Sequence, residues 1–508
     1  MSDVPRIRIG DRAISHDELK ARAALVAGTL AVAGVEHGDR VAIVLRNDPD
    51  FLLLSAACGL LGAVPVPVNW HWRGEELRHA LTHSGSRAVF AHSAFVPEVE
   101  RVLPDGVPLI EVPVREEQAH GCGATPATGR YPLLDEWLEG NEPRTEGLAS
   151  APTSLIYTSG TTGLPKGVLR DAMGPDQSMQ VAGATLAGMG LEPGMRTLIT
   201  APMYHSAPNA QGLFAVALGI DVTIMSRFDA EEFLMLIERH AITHAQVVPT
   251  MFVRMLELPP PVRERYDTSS LRVVVHAAAP CPVHVKRRMI EWLGPVILEY
   301  YGGTETGIVV NCDTNEWLAH EGTVGKPLAD ADLRIFGPDG DPVPQGEPGE
   351  IYVKRPSFFP QFTYLGQDDK RREIDRDGYV TIGDVGYLDG DGFLYLSDRV
   401  RDMVISGGVN IYPIEIESCL LELPGVRDAA VFGIPDDAYG EALAAHVDAD
   451  PAAGLTEDAV RDHIRSRLAG YKVPKVVVFD DDLPREASGK LFKRRLRDRY
   501  WQDAGRAI

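Results

Sequence analysis

Short apolar runs alternate with longer amphipathic stretches over most of this chain. Runs too short for a helix and bounded by turn residues read as strands, and apolar positions recurring every three to four residues read as helices. Residues 40–45 predict a buried strand and 88–90 another. Ser15, followed three positions later by Glu18, marks a capped helix start, and 75–84 is helical. Between these, 50–62 predicts a buried helix and 63–68 a short strand. The alternation resumes at 195. Strands are expected at 154–157, 197–200, 245–248, 271–276 and 296–300, and helices at 229–240, capped by Asp229, and 282–293. Strands alternating with helices predict a mostly parallel sheet covered on both faces. Residues 115–130 and 139–152 are polar and rich in Gly, Pro and Thr, and predict surface connections. After about residue 320 the texture becomes that of a smaller antiparallel β unit. A last segment from about 402 returns to helix, strand and helix signals. The expected fold is α/β: a large N-terminal domain of parallel-sheet α/β subdomains plus a small β unit, then a small α+β C-terminal domain.

Bulk properties narrow the function. A chain of 508 residues exceeds what one core usually supports, so two or more domains are expected. The formal net charge of −22 argues against nucleic acid or anionic membrane as a partner. Five dispersed cysteines, at 58, 122, 281, 312 and 419, predict reduced thiols in a cytoplasm and no structural zinc. Met1 to Arg6 holds no apolar signal core, so no export is implied. The uncharged run from Phe51 to Trp70 is broken by Pro65, Pro67 and Asn69, and predicts a buried helix and strand in place of a membrane span. The basic run from Arg485 to Arg499 reads mostly as a solvated helix face.

The chemistry centres on Thr158-Ser159-Gly160-Thr161-Thr162-Gly163-Leu164-Pro165-Lys166-Gly167. Glycines let backbone approach an anion closely, N–H groups and hydroxyls donate to its oxygens, and lysine adds a point charge. The composition suits a loop wrapped around phosphate. It is not a Walker A loop, because Pro165 precedes Lys166 and Gly167 follows it.

This stretch resembles the phosphate loop of the adenylate-forming superfamily: acyl-CoA synthetases, peptide-synthetase adenylation domains and firefly luciferase. Further stretches match the same family in order. Ala201-Pro202-Met203-Tyr204-His205-Ser206 resembles the mouth of the acyl pocket, and Tyr301-Gly302-Gly303-Thr304-Glu305 the adenine and magnesium motif. Thr381-Ile382-Gly383-Asp384 resembles the ribose motif. Asp398-Arg399-Val400-Arg401-Asp402 with Ser406-Gly407-Gly408 resembles the hinge and the start of a mobile domain, and Pro484 to Lys490 the catalytic-lysine motif. The resemblance covers nearly the whole chain.

The resemblance implies roles. ATP would be held by Thr158 to Gly163, Lys166, Ala278-Ala279-Pro280, Tyr300, Tyr301, Gly302, Thr304, Asp384, Arg399 and Lys490. Mg2+ would take oxygen ligands from Thr161 and Glu305, a carboxylate beside a polyanion. Tyr301 offers adenine a flat face or is simply core, and Asp384 suits two ribose hydroxyls or caps a turn. Lys490, Glu305, Thr161 and His205 form the implied catalytic set, with His205 either a gate to the acyl pocket or a structural histidine. Ser406, Gly407 and Gly408 would line a CoA tunnel. Arg401 stands at the hinge position, where Asp or Lys is usual. Domains are expected at 1–398 and 402–508, with a hinge at 399–401.

His205, Asn209, Val248, Thr250, Gly303 and Ile308 are the expected acyl-pocket residues, mostly small or apolar. The implied function is ATP-dependent acid–thiol ligation: a hydrophobic acid becomes its adenylate and is passed to CoA. Within the family the pattern is most like fatty-acyl or bile-acid-type ligases, with fatty, aromatic and alicyclic acids all open. The rival reading passes the adenylate to an amine or a carrier-protein thiol. Expected partners are the acid, ATP and CoA, without nucleic acid or stable membrane insertion. A homodimer is common among such enzymes.

Overall fold

A computed structural model describes residues 4–114, 124–144, 153–158, 164–399, 402–407, 409–436, 438–485 and 491–501. Among these residues the largest sheet has nine strands. Arg6–Ile9, Asp221–Ile224, Arg196–Ile199, His244–Val247, Val273–His276 and Ile297–Gly303 run parallel to their neighbours. Antiparallel Arg12–Ser15 borders one side, and Gly307–Cys312 with Lys326–Pro327 the other. A second, all-parallel sheet holds Val64–Pro67, Arg40–Val44, Ser86–His92 and Leu109–Val112.

Local chemistry explains the connecting helices. Ser15 and Glu18 form a reciprocal capping box at the start of His16–Val32. Pro49–Leu61 starts with the Asp48 side chain accepting from the Asp50 N–H and stops at Gly62, in the left-handed region at φ 78°. It is buried along most of its length, as its uncharged sequence from Phe51 onward requires. None of the described helices is long and apolar enough to cross a membrane.

A separate small antiparallel sheet packs beside the second one, to which the Leu155 N–H donates at the Pro65 carbonyl, 3.0 Å away. Ile156–Thr158 and Lys166–Arg170 form a hairpin, and Phe362–Tyr364 adds a third strand from far along the chain. The expected antiparallel unit is a five-stranded sheet of Asp332–Phe336, Gly349–Lys354, Asp375–Arg376, Tyr379–Leu388 and Leu394–Arg399. Beyond it a further five-stranded sheet packs on helices Pro413–Leu420 and Glu457–Arg465 around Val404, Ile416, Leu420, Val431 and Ile464.

Two readings change. The strand at 297 does not end at Tyr300 but runs through Tyr301 to Gly303, where a bulge and a tight hairpin follow. Only glycine fits at 302, since a Cβ there would stand 1.9 Å from the Gly307 carbonyl oxygen. Lys493, within the basic run, is buried and paired with Glu417 at 2.8 Å. Burial pulls its ammonium down, but Glu417, with Asp398 and Asp402 behind it, outweighs burial and the net shift is upward.

Candidate active site

The candidate residues collect at one edge of the large sheet. Arg196–Ile199, His244–Val247, Val273–His276 and Ile297–Gly303 are successive parallel neighbours. Each leads at its carboxyl end into a candidate segment: Ala201 to Ser206, Val248 to Thr250, Ala278 to Pro280, and Thr304-Glu305. The carboxyl edge of a parallel sheet is where open α/β folds bind ligands.

The segments touch one another. Tyr301 donates its hydroxyl to Asp384 Oδ2 at 3.0 Å, joining the expected adenine and ribose residues. Asp384 lies opposite Arg399 in the next strand pair. Thr304 Oγ1 bonds Ser206 Oγ at 3.1 Å, tying the glycine motif to the helix Ser206–Ala217. His205 occupies the N-cap position of that helix, half-buried, its ring centroid 4.3 Å from that of Tyr204. The Gly303 N–H donates to Thr306 Oγ1 at 2.9 Å, which shapes the turn presenting Glu305.

The phosphate hairpin reaches this turn from the side. Tyr364, on the third strand, donates its hydroxyl to Glu305 Oε1 at 3.1 Å. The Lys166 ammonium lies 4.9 Å from the centre of the Tyr364 ring. Arg170 donates to the Thr304 carbonyl, and burial lowers its guanidinium pKa while the Glu305 charge partly restores it. Tyr364 and Arg170 belong to no motif. Tyr364 had only the alternation of a three-residue strand to announce it, and Arg170 followed the lysine motif without signal.

Ala278 adopts φ 75°, a left-handed conformation unusual for a residue with a Cβ. Behind it lies a buried polar row. Lys286 Nζ bonds Glu299 Oε2 at 2.6 Å, and His276 Nε2 stands 3.6 Å from the same oxygen. Burial raises the Glu299 pKa and Lys286 offsets only part of this. Both walls of the expected adenine slot, 278–280 and 300–301, grow directly from this row.

Tyr300, expected at the nucleotide, points into the main core, where its hydroxyl accepts from Gln246 Nε2 at 2.8 Å. Asn209, expected at the acyl pocket, is buried with its amide engaged: Ser154 Oγ donates to its Oδ1 at 2.9 Å and its Nδ2 donates to the Met203 carbonyl at 3.2 Å. Ile308 packs against helix Pro175–Met189, where a Cβ on Gly188 would come within 2.9 Å of it. Val248 is buried and Thr250 half-buried at the start of Pro249–Glu257.

On the C-terminal sheet, Ser406 ends strand Val404–Ser406 and Gly407 turns in the left-handed region at φ 58°. The Gly407 N–H donates to the Tyr439 carbonyl at 2.9 Å, and a Cβ on Gly407 would lie 3.1 Å from the Tyr439 ring. Ser159, Gly160, Thr161, Thr162, Gly163, Arg401, Gly408 and Lys490 lie outside the described residues. Among the described residues no group of three or more His, Cys, Asp or Glu gathers as a metal site.

Comparison with known proteins bears on this arrangement. Residues 2–362 match the model of the AMP-binding enzymes, and 415–490 that of the AMP-binding enzyme C-terminal domain. A feruloyl-CoA synthase from an Amycolatopsis species is 36% identical, the alignment covering 97% of this chain and 95% of the relative. The o-succinylbenzoate CoA synthetase MenE from Bacillus subtilis, solved with its acyl-adenylate intermediate, superposes with a TM-score of 0.82 at 30% identity, covering 97% of this chain and 95% of that one. The amide bond synthetase McbA from Marinactinospora thermotolerans does so with 0.82 at 25% identity, covering 98% and 97%.

Proposed function

The chain belongs to the AMP-binding, adenylate-forming enzymes, and from that premise we propose that it joins a hydrophobic carboxylic acid to CoA in two half-reactions. In the first, a carboxylate oxygen attacks the α-phosphorus of ATP. The bond to the bridging oxygen breaks, and pyrophosphate leaves with its electron pair. In the second, the CoA sulfur attacks the acyl carbonyl as a thiolate, and AMP departs with the former carboxylate oxygen.

The observation that carries this reading is the convergence at the sheet edge: Tyr301 on Asp384, Tyr364 on Glu305, and Lys166 over Tyr364. Adenine would lie against Tyr301 and the backbone of 278–280, ribose on Asp384 and Arg399, and polyphosphate under the loop 158–166. Glu305 fits Mg2+: a carboxylate with one oxygen fixed by Tyr364 leaves its other oxygen for a hard cation that phosphates and water complete. That ion would neutralise charge on the polyphosphate. Thr161 is the second proposed ligand. Lys490 would stabilise charge gathering on the α-phosphoryl oxygens. The domain boundary is placed at 399–401, with Arg401 as pivot, and Ser406 to Gly408 as the passage for the CoA arm, where small residues leave room.

His205, Val248, Thr250, Gly303 and Ile308 favour a hydrophobic acid, in keeping with the feruloyl-CoA synthase relative. The likeness to an amide bond synthetase keeps an amine acceptor as the second reading. Both are tested by one incubation: protein, MgATP and a library of carboxylic acids, with and without CoA, analysed by mass spectrometry. A CoA thioester of one acid establishes the reading. Adenylate without thioester redirects it to amines and carrier proteins, and no acid-dependent pyrophosphate refutes it.

A further inference from the structure

The helix Gly74–Ser84 carries His79 and His83, one turn apart on the same face, with ring centroids 4.7 Å apart and planes at 20°. Both rings point at the phosphate hairpin. His79 Nε2 lies 2.9 Å from the Pro165 carbonyl oxygen. A carbonyl only accepts, so Nε2 carries the proton. His83 Nδ1 lies 2.9 Å from the Tyr157 hydroxyl, and its ring also bonds the Leu365 backbone. With the proton on the nitrogen facing Leu365, Nδ1 is bare and the Tyr157 O–H donates to it.

These contacts fall on the two ends of the phosphate loop. Tyr157 immediately precedes Thr158, and Pro165 immediately precedes Lys166. Tyr157 and Gly167 face each other across the hairpin, as do Thr158 and Lys166. A Cβ on Gly167 would lie 3.2 Å from the Tyr157 ring, so that ring packs flush against the hairpin backbone. The Leu365 N–H donates to the Gly167 carbonyl at 2.8 Å, so His83 also grips the third strand's end. One helix thus holds both ends of the loop, and the strand that delivers Tyr364 to Glu305, from the side facing away from Glu305.

We propose that His79 and His83 are positioning residues for ATP: they fix the Pro165 carbonyl and the Tyr157 hydroxyl, and so set where Thr158 and Lys166 meet the polyphosphate. The inference rests on the ATP reading above. Neither histidine touches the nucleotide. Loss of the grip leaves the hairpin of Ile156–Thr158 and Lys166–Arg170 formed but imprecisely held, and the cost falls on ATP and not on the acid.

The test is steady-state acid-dependent ATP–pyrophosphate exchange by the full chain, using the acid found by the library screen. His79→Ala is expected to raise KM for MgATP about tenfold, the scale of one lost hydrogen bond, with KM for the acid within twofold. His79→Gln, whose amide N–H can still donate to the carbonyl, restores most of the loss. His83→Phe keeps the ring packing, loses both bonds, and behaves as His79→Ala does. Thermal unfolding of each variant runs alongside, and His83→Phe carries the test if His79→Ala does not fold. ATP KM values all within twofold of wild type overturn the inference. So does a rise in acid KM equal to that for ATP, or a failure of Gln to restore anything, since either makes the pair a general prop. No exchange by the wild type is a different failure, that of the ATP reading itself.

Discussion

Acid should unfold this protein through a histidine that cannot take a proton. His244 is completely buried at the start of strand His244–Val247. Its Nε2 lies 3.0 Å from the Met189 carbonyl, to which it must donate, and its Nδ1 accepts from the Thr197 hydroxyl at 2.7 Å. Both bonds suit neutral imidazole. Burial pushes the pKa down to about 4, and the Met189 carbonyl resists only part of this. In the unfolded chain the ring titrates near 6.5. Below that pH the unfolded state binds a proton that the folded state refuses, so stability present at neutral pH is lost as pH falls from 6.5 toward 4. Each pH unit within that window costs about 1.4 kcal/mol, hence about 2 kcal/mol at about pH 5 and roughly 3.4 kcal/mol below about pH 4. The assay is urea unfolding of wild type and His244→Leu at about pH 7.5 and about pH 5, followed by tryptophan fluorescence. The variant is less stable at both, having orphaned the Met189 carbonyl. The gap between the two proteins should narrow by about 2 kcal/mol at the lower pH, because every other titrating group is common to both. A gap unchanged to within about 0.5 kcal/mol refutes the reasoning.

Lys490→Ala should reduce acid-dependent pyrophosphate release by at least about a hundredfold while ATP binding, read by calorimetry, survives. Tyr364→Phe removes the hydroxyl on Glu305 and should slow adenylation about tenfold without altering the thermal midpoint by more than a degree or two, read by pyrophosphate release and a melting curve. Ala278→Gly relieves a left-handed alanine; the strain of about 1–2 kcal/mol exceeds the extra chain entropy of glycine, so chemical denaturation should show a gain of up to about 1 kcal/mol. Lys286→Met leaves Glu299 buried with only His276 beside it and should cost about 3–5 kcal/mol, whereas Lys286→Met with Glu299→Leu recovers most of it, measured by denaturant midpoint.

Features set by neighbours in sequence were legible in the chain. The Ser15–Glu18 box, the Asp229 cap and the buried helix Pro49–Leu61 each depend on residues within a turn or two, and each is present. The motif residues were legible as a family pattern, but not which of them touch. That Tyr301 meets Asp384 depends on two separate sheets packing together across about eighty residues of chain, and no local periodicity encodes it. Lys493 looked like one more solvated cation because its partner Glu417 lies on another helix. The strand through Tyr301 to Gly303 was hidden by its glycines, which weaken a strand pattern and here permit the close approach of Gly307. Tyr300 and Tyr301 are adjacent and identical, yet strand alternation sends one to the main core and the other to the site.

The sheet pairings also set a timetable for synthesis. Ile7 and Ile9 sit beside Val222 and Ile224, so the first strand waits for a partner more than two hundred residues downstream. At ribosomal rates of about 5–20 residues per second, that wait is roughly ten to forty seconds. Meanwhile the strand has only its hairpin partner Arg12–Ser15, and its other edge stands open to any nascent chain nearby. The phosphate hairpin waits as long for Phe362–Tyr364. Fragments ending before that strand should therefore emerge aggregation-prone and nucleotide-blind, and the intact chain should lean on chaperones that shield an exposed strand edge until its partner is translated.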